Sequence, residues 1–386
     1  MLTAHDRVVR RFCAYRRSGS AAAIIAILLA APAATLAAPV LRTCGVDPVA
    51  NTTDVLCAAP SGPCTGTAVT MSNDIDVTAG GCEFDLGGRT LSVQKSFQMT
   101  GLGFIKVTNA GDITLTGTGR LRARGDFVEP TGVIIRGGLV SLISTGVITL
   151  LDRAIIDVSG DGAGTVRLTA GGANGSGVGI DLQATAQIIG QGISSSVDTG
   201  DRFADGGSLV VNATAGGIVD NATINVSGAN GAQGGSVDMR SVRDITVGDT
   251  MDASGGASDG GSIDLLAADS ITVTKTLNVD SRMGGGFGGT MSLTAGSDTL
   301  GGVAPGGTIT INDTSLRLNG SDAETSGGDG GELDITAQGL VQVLDVRSSI
   351  QANGGTLFDG SGGAIAFSSG DSFPNVLGSL DGNLTL

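Results

Sequence analysis

The stretch GGSVDMRSVRDITVGDTMDASG, Gly234 to Gly255, decides how the rest of the chain is read. It holds three short segments, SVDMRS, DITVGD and TMDASG, separated by polar or Gly-containing corners. In the first two, apolar residues stand two apart: Val237 with Met239, and Ile245 with Val247. That spacing puts both side chains of each pair on one face of a β-strand, with Asp238 and Thr246 on the other. Gly at the corners allows backbone angles that other residues resist.

The unit recurs. Gly pairs followed by an alternating segment stand at Gly137 (GGLVSL), Gly206 (GGSLVV), Gly260 (GGSIDL), Gly288 (GGTMSL), Gly306 (GGTITI), Gly330 (GGELDI) and Gly362 (GGAIAF), with AGTVRL at Ala163 as a variant. A repeat of roughly 20–30 residues marks a solenoid. Three short strands per turn predict a three-sided parallel β-helix of roughly 11 coils, about 50 Å long at the spacing of paired strands. Leu209, Val237, Ile263, Met291, Ile309, Leu333 and Ile365 are expected to stack inside as one column. A buried aliphatic side chain contributes about 1.5–3 kcal/mol, more than a surface charge pair. Asp238, Asp264 and Asp334 are expected outside, sharing their column with Ser141, Arg167, Val210, Ser292, Thr310 and Ala366. Carboxylates that alternate so freely with other residues are expected to be the wet face of a strand, not a catalytic pair. A β-sandwich is the competing fold. It would need hairpin turns between neighbouring strands, whereas Asn-Gly at Asn174, Asn230, Asn319 and Asn353 falls mostly in long Gly-rich loops.

Composition agrees with an all-β chain. Gly makes up 66 of 386 residues, Pro only 8, and no Gly-X-Y period is present. Residues 1–37 read as a signal peptide: five Arg precede AAAIIAILLAAPAATLAA, which ends in small residues. The same stretch could instead persist as a membrane anchor. RRF at Arg10 is an incomplete twin-arginine pattern, and Arg42 argues against a lipid anchor at Cys44. Removing residues 1–37, with their five Arg and one Asp, takes the net charge from −15 to −19. So acidic a surface disfavours nucleic acid and anionic lipid. His5 and Tyr15, the chain's single His and Tyr, leave with that segment, and Trp is absent throughout. Most nucleophile–base chemistry and His-ligated metals are thereby excluded from the mature chain.

Four Cys remain: Cys44, Cys57, Cys64 and Cys82. Crowded near the new N-terminus of an exported chain, they read as two disulfides with three possible pairings, stapling a cap over residues 38–82. A zinc site is the alternative, weakened by irregular spacing and the lack of His.

The chain at this point resembles the parallel β-helix repeats of secreted bacterial haemagglutinin and autotransporter adhesins, within the pectin-lyase-like superfamily. FDLGGRTLSV, Phe84 to Val93, is similar to the opening coil of pectin-lyase-like helices, and the GGSIDL…ITV…LNVDSR unit resembles adhesin repeats. The likeness covers residues 83–386. It implies a right-handed helix and a rod at the outer surface of a Gram-negative-type bacterium, contacting surface glycans or host proteins without catalysis. Two features depart from it: the Asn-Pro-rich motifs of two-partner secretion and a C-terminal barrel are both missing. The repeat-like ending, LGSLDGNLTL, reads as a truncation.

The loop SSSVDTGDRFADGG supplies the candidate site. It holds Asp198, Asp201, Arg202, Phe203 and Asp205. No cofactor is expected, although Asp198, Asp201 and Asp205 could hold calcium through oxygen ligands or act as acid and base on a glycosidic bond. The simpler reading is a solvated, Gly-bounded loop. Asp322, Glu324 and Asp329 match calcium-binding nonapeptides only superficially. RGD at Arg124 to Asp126, and sequons at Asn212 and Asn221, mark exposed positions at most. Long loops near 190–206, 281–288 and 318–330 each precede a Gly pair, so they are expected along one edge as an interaction surface. The competing function is a polysaccharide lyase or glycoside hydrolase working in an acidic groove.

Overall fold

In the computed structural model the chain divides into Met1–Ala38 and Pro39–Leu386. The described residues all belong to the second unit. They run from 68 to 385, without 72–73, 78–80, 101–102, 126–135, 194–203, 297–305, 324–326, 346, 357–359, 371–374, 377–378 and 382. Cys44, Cys57, Cys64, Asp198, Asp201, Arg202, Phe203, Glu324 and Asp126 therefore lie outside the described residues, as does the expected signal segment.

Every described strand belongs to one of three parallel sheets of eleven strands each. The chain visits sheet 1, sheet 2 and sheet 3 in turn and then moves on one coil. The decisive stretch supplies one strand to each: Ser236–Ser241 to sheet 3, Ile245–Val247 to sheet 1 and Met251–Asp252 to sheet 2. The fold is a three-sided parallel β-helix.

Register shows why the alternation produces it. In sheet 3, Val166, Leu209, Val237, Ile263, Met291, Leu333 and Ile365 pair in unbroken succession, and all are buried. Their partners two residues on, from Leu168 to Phe367, are buried as well. Asp238 and Asp264 pair directly and point outward, half-buried, while Asp334 is exposed. Ser141 shares that outward register yet is covered. Ile263→Val, which trims one methyl from this column, is expected to cost about 1 kcal/mol in a urea titration. No measurable change would show that the lumen is loosely packed.

Two expectations need correction. Ile309 and Thr310 do not belong to the sheet 3 column: Ile309–Asn312 is a sheet 1 strand, with Ile309 between Ile271 and Val341 and Thr310 beside Thr272. Gly306 was misleading because it begins no coil. It has φ +102° with open space where a Cβ would stand, so it serves a turn. The helix also starts earlier than residue 83. Ala68–Met71, Ile75–Val77 and Gly81–Asp85 already form a coil, within the segment expected as a cap. In it Cys82 is buried, pairs with Ile105 in the lumen column, and is disulfide-bonded.

The Gly pairs that do mark coils work by size, not by backbone angle. A Cβ on Gly234 would lie 1.9 Å from the Ala253 carbonyl oxygen, and one on Gly260 would lie 1.8 Å from that of Val279. None of Gly206, Gly207, Gly234, Gly235, Gly260 and Gly261 has positive φ. Their N–H groups continue the inter-coil ladder or close a loop, so the coils stack there without side chains.

Candidate functional site

Among the connections between described strands, all but one of those longer than seven residues join a sheet 2 strand to a sheet 3 strand; the exception is 296–308. The second Gly of each pair closes the neck of its loop. Gly235 N–H donates to the Val226 carbonyl (2.9 Å), Gly261 to Ala253 (2.8 Å), Gly289 to Val279 (2.8 Å) and Gly331 to Leu318 (2.6 Å). The expected edge of loops is thus present, and its anchoring is uniform.

The loop bases stack too, through a motif that the repeat reading passed over. IDVSG, INVSG, MDASG, LNVDS, LRLNG and IQANG recur at the end of sheet 2. Asn225 Oδ1 accepts the Ser227 N–H (3.0 Å) and hydroxyl (2.7 Å), and Asp252 Oδ1 does the same with Ser254 (3.1 and 2.6 Å). Asn278 then donates to Asp252 (3.2 Å), while Asp280 takes Arg317 (2.8 Å) and the Asn319 N–H (2.7 Å). Ser227, Ser254 and Asp280 are buried, so these bonds satisfy groups that would otherwise be costly to enclose. The signal was legible as a polar residue two after another polar residue, just ahead of Gly.

Beneath the loops runs a groove of about 650 Å³. Its floor is the glycine ladder. One wall carries Thr165, Ser208, Ser236, Ser262 and Thr290, the first residues of five successive sheet 3 strands; the other carries Asp205, Gln233, Asp259 and Phe287. Five coils span about 19 Å at the strand spacing. Phe287 is 51 % exposed, and Met283 on the same loop 47 %. The Ser236 hydroxyl donates to the Ser208 Oγ across the coil step at 3.0 Å.

The carboxylates of this wall have defined partners. Asp205 Oδ1 accepts the Gln233 N–H (3.2 Å), Asp259 Oδ1 the Phe287 N–H (3.0 Å), and Asp329 Oδ1 the Ser361 N–H (2.7 Å). Each caps its counterpart in the next coil. Of the three calcium candidates only Asp205 is described. Among the described residues no three acidic, His or Cys side chains converge to hold a metal ion. Asp322 accepts the Thr356 hydroxyl (3.1 Å) at a separate place. Asn212 is half-buried on sheet 3, and Arg124 ends a sheet 2 strand.

Next to the groove, on the outer face of sheet 3, Arg240 grips Asp238 through Nε (3.0 Å) and Nη2 (3.2 Å). Asp264, one coil on, faces that pair and is hydrogen-bonded by Ser292. Partial burial, and then the charge of Asp238, push the Asp264 carboxyl above the usual range. Arg240 is held more firmly protonated, first by its bond to Asp238.

Comparison with protein-family models, curated proteins and solved structures gave no match.

Proposed function

We propose that this chain is a non-enzymatic, exported surface rod of adhesin type, which presents the loops of one corner and the groove beneath them to an extended ligand. One observation carries the reading: a groove open over five coils runs along the edge that bears nearly all the long loops. The carboxylates that line it support binding over catalysis, because each is engaged by a backbone N–H of the next coil. Hydroxyls in a row and an exposed Phe287 ring offer polar and apolar contact to a sugar chain. Partners are surface glycans or host proteins. A signal segment at 1–37, a Cys-rich cap and placement on the outer surface of a Gram-negative-type cell complete the proposal.

A second reading rests on Asp264. A carboxyl with a raised pKa beside the Asp238–Arg240 pair is an arrangement that can supply a general acid, as in a lyase or hydrolase. Affinity electrophoresis against a panel of neutral, amino and acidic polysaccharides tests both. Retardation by at least one polymer, reduced in Phe287→Ala and without bond cleavage, is the expected result. Reducing or unsaturated ends that appear with the parent chain and vanish in Asp264→Asn would replace the rod with an enzyme.

A further inference from the structure

From the Gly206 pair onward, the residues just before the glycine pairs of the groove corner form a column: Asp205, Gln233, Asp259, Phe287, Asp329 and Ser361, with Gly162 and Arg136 at the two coils before it. Within this run aspartate stands at every second coil. Each of the three uses Oδ1 to accept the N–H of the next member, and Oδ2 meets no donor among the described residues. Two coils measure about 10 Å along the axis. An extended β-1,4-linked polysaccharide with twofold twist turns the same sugar edge outward at every second residue, a repeat of nearly that length. Successive aspartates would therefore meet the same substituent on alternate sugars.

Charge selects that substituent. Among the described residues no Lys or Arg lines the groove. On the adjoining outer face of sheet 3 stand Arg167, exposed two residues beyond Thr165, and Arg240, which is committed to Asp238. A polyuronate laid here would bring its carboxylates against Asp205 and Asp259 with no described cation in the groove lining to neutralise them. An amine would find a free carboxylate oxygen at each repeat, with Ser208, Ser236, Ser262 and Thr290 opposite for hydroxyls and Phe287 for a ring face. Taking the corner as the ligand-bearing face, as proposed above, we infer that the groove binds an extended β-linked aminoglycan in its free-amine form, with Asp205 and Asp259 pairing to amines two sugars apart.

The test is calorimetry on the purified chain with a β-1,4-glucosamine hexamer, its fully N-acetylated counterpart and polygalacturonate. Asp205→Asn and Asp259→Asn keep an Oδ1 acceptor for the next coil, so the ladder is preserved. The glucosamine hexamer should bind, each variant should weaken it about three- to fivefold, and N-acetylation should do at least as much. Added salt should weaken the amine form alone, a readout that needs no variant. Equal binding of both hexamers, indifference to the Asn variants, or preference for polygalacturonate would overturn amine recognition while leaving the groove a glycan site. Failure of all three ligands to bind would remove both the ligand class and the corner's proposed role.

Discussion

Gly260→Val should destabilise the helix by about 4 kcal/mol or more and strip hydrogen-exchange protection from the coils on either side. Even the first carbon of that side chain would stand 1.8 Å from the Val279 carbonyl oxygen and 2.5 Å from the Gly289 nitrogen. Both atoms belong to the backbone of the next coil and take part in its hydrogen bonding: Gly289 N–H closes its loop on that same Val279 carbonyl. No rotamer relieves the contact, because it arises at Cβ. The coils must separate locally, which breaks ladder bonds and opens the lumen around Ile263 and Met291. Gly175→Ala is the control. Its Cβ would meet nothing within 4 Å, so a change within about 0.5 kcal/mol is expected. If Gly260→Val melted together with the parent chain, the glycine pairs would not be steric spacers between coils.

That difference between glycines marks the limit of what the sequence discloses. Alternation such as Val237–Met239 and Ile245–Val247 is a local property, so the strands, their inward faces and the outward place of Asp238 and Asp264 can be read directly. Contact between coils is not local. Whether a Gly-Gly pair spaces two coils, as at Gly234, or turns a loop, as at Gly306, depends on atoms some 20–40 residues away. The two kinds of pair look alike in sequence, so Ile309 reads as a sheet 3 residue although it pairs in sheet 1. The groove was foreseen only as an edge of loops, since Asp205, Asp259 and Phe287 become neighbours only once the repeats are stacked in register. The Asp–Ser and Asn–Ser bonds of the loop bases were within reach of the sequence, because MDASG and INVSG differ by conservative exchanges. The Gly pairs a few residues later carry the stronger period and mask them.

Asp220→Asn should raise the denaturation midpoint at pH 7 and leave it nearly unchanged at pH 4. Asp220 occupies a lumen position in sheet 1, in register with Leu182 before it and Val247 after it, and is fully buried. Oδ1 accepts the Ala222 N–H (3.1 Å), but Oδ2 has no hydrogen-bond partner among the described residues. Burial drives the carboxyl well above the usual aspartate range, the Ala222 bond opposes this, and Asp249 adds to it. Below about pH 4 the unfolded chain is protonated at this residue as well, so its titration costs the fold nothing. As pH rises, the unfolded state ionises first, and stability falls by about 1.4 kcal/mol per pH unit until the folded carboxyl ionises too; beyond that the loss is constant. Asn keeps the Oδ1 acceptor and cannot ionise, so the variant should gain about 2 kcal/mol or more at neutral pH while matching the parent in acid. Urea midpoints at a series of pH values between 4 and 7 measure the divergence. Parallel curves for the two proteins would mean that water or a cation reaches Asp220, and that the lumen of sheet 1 is not dry at that coil.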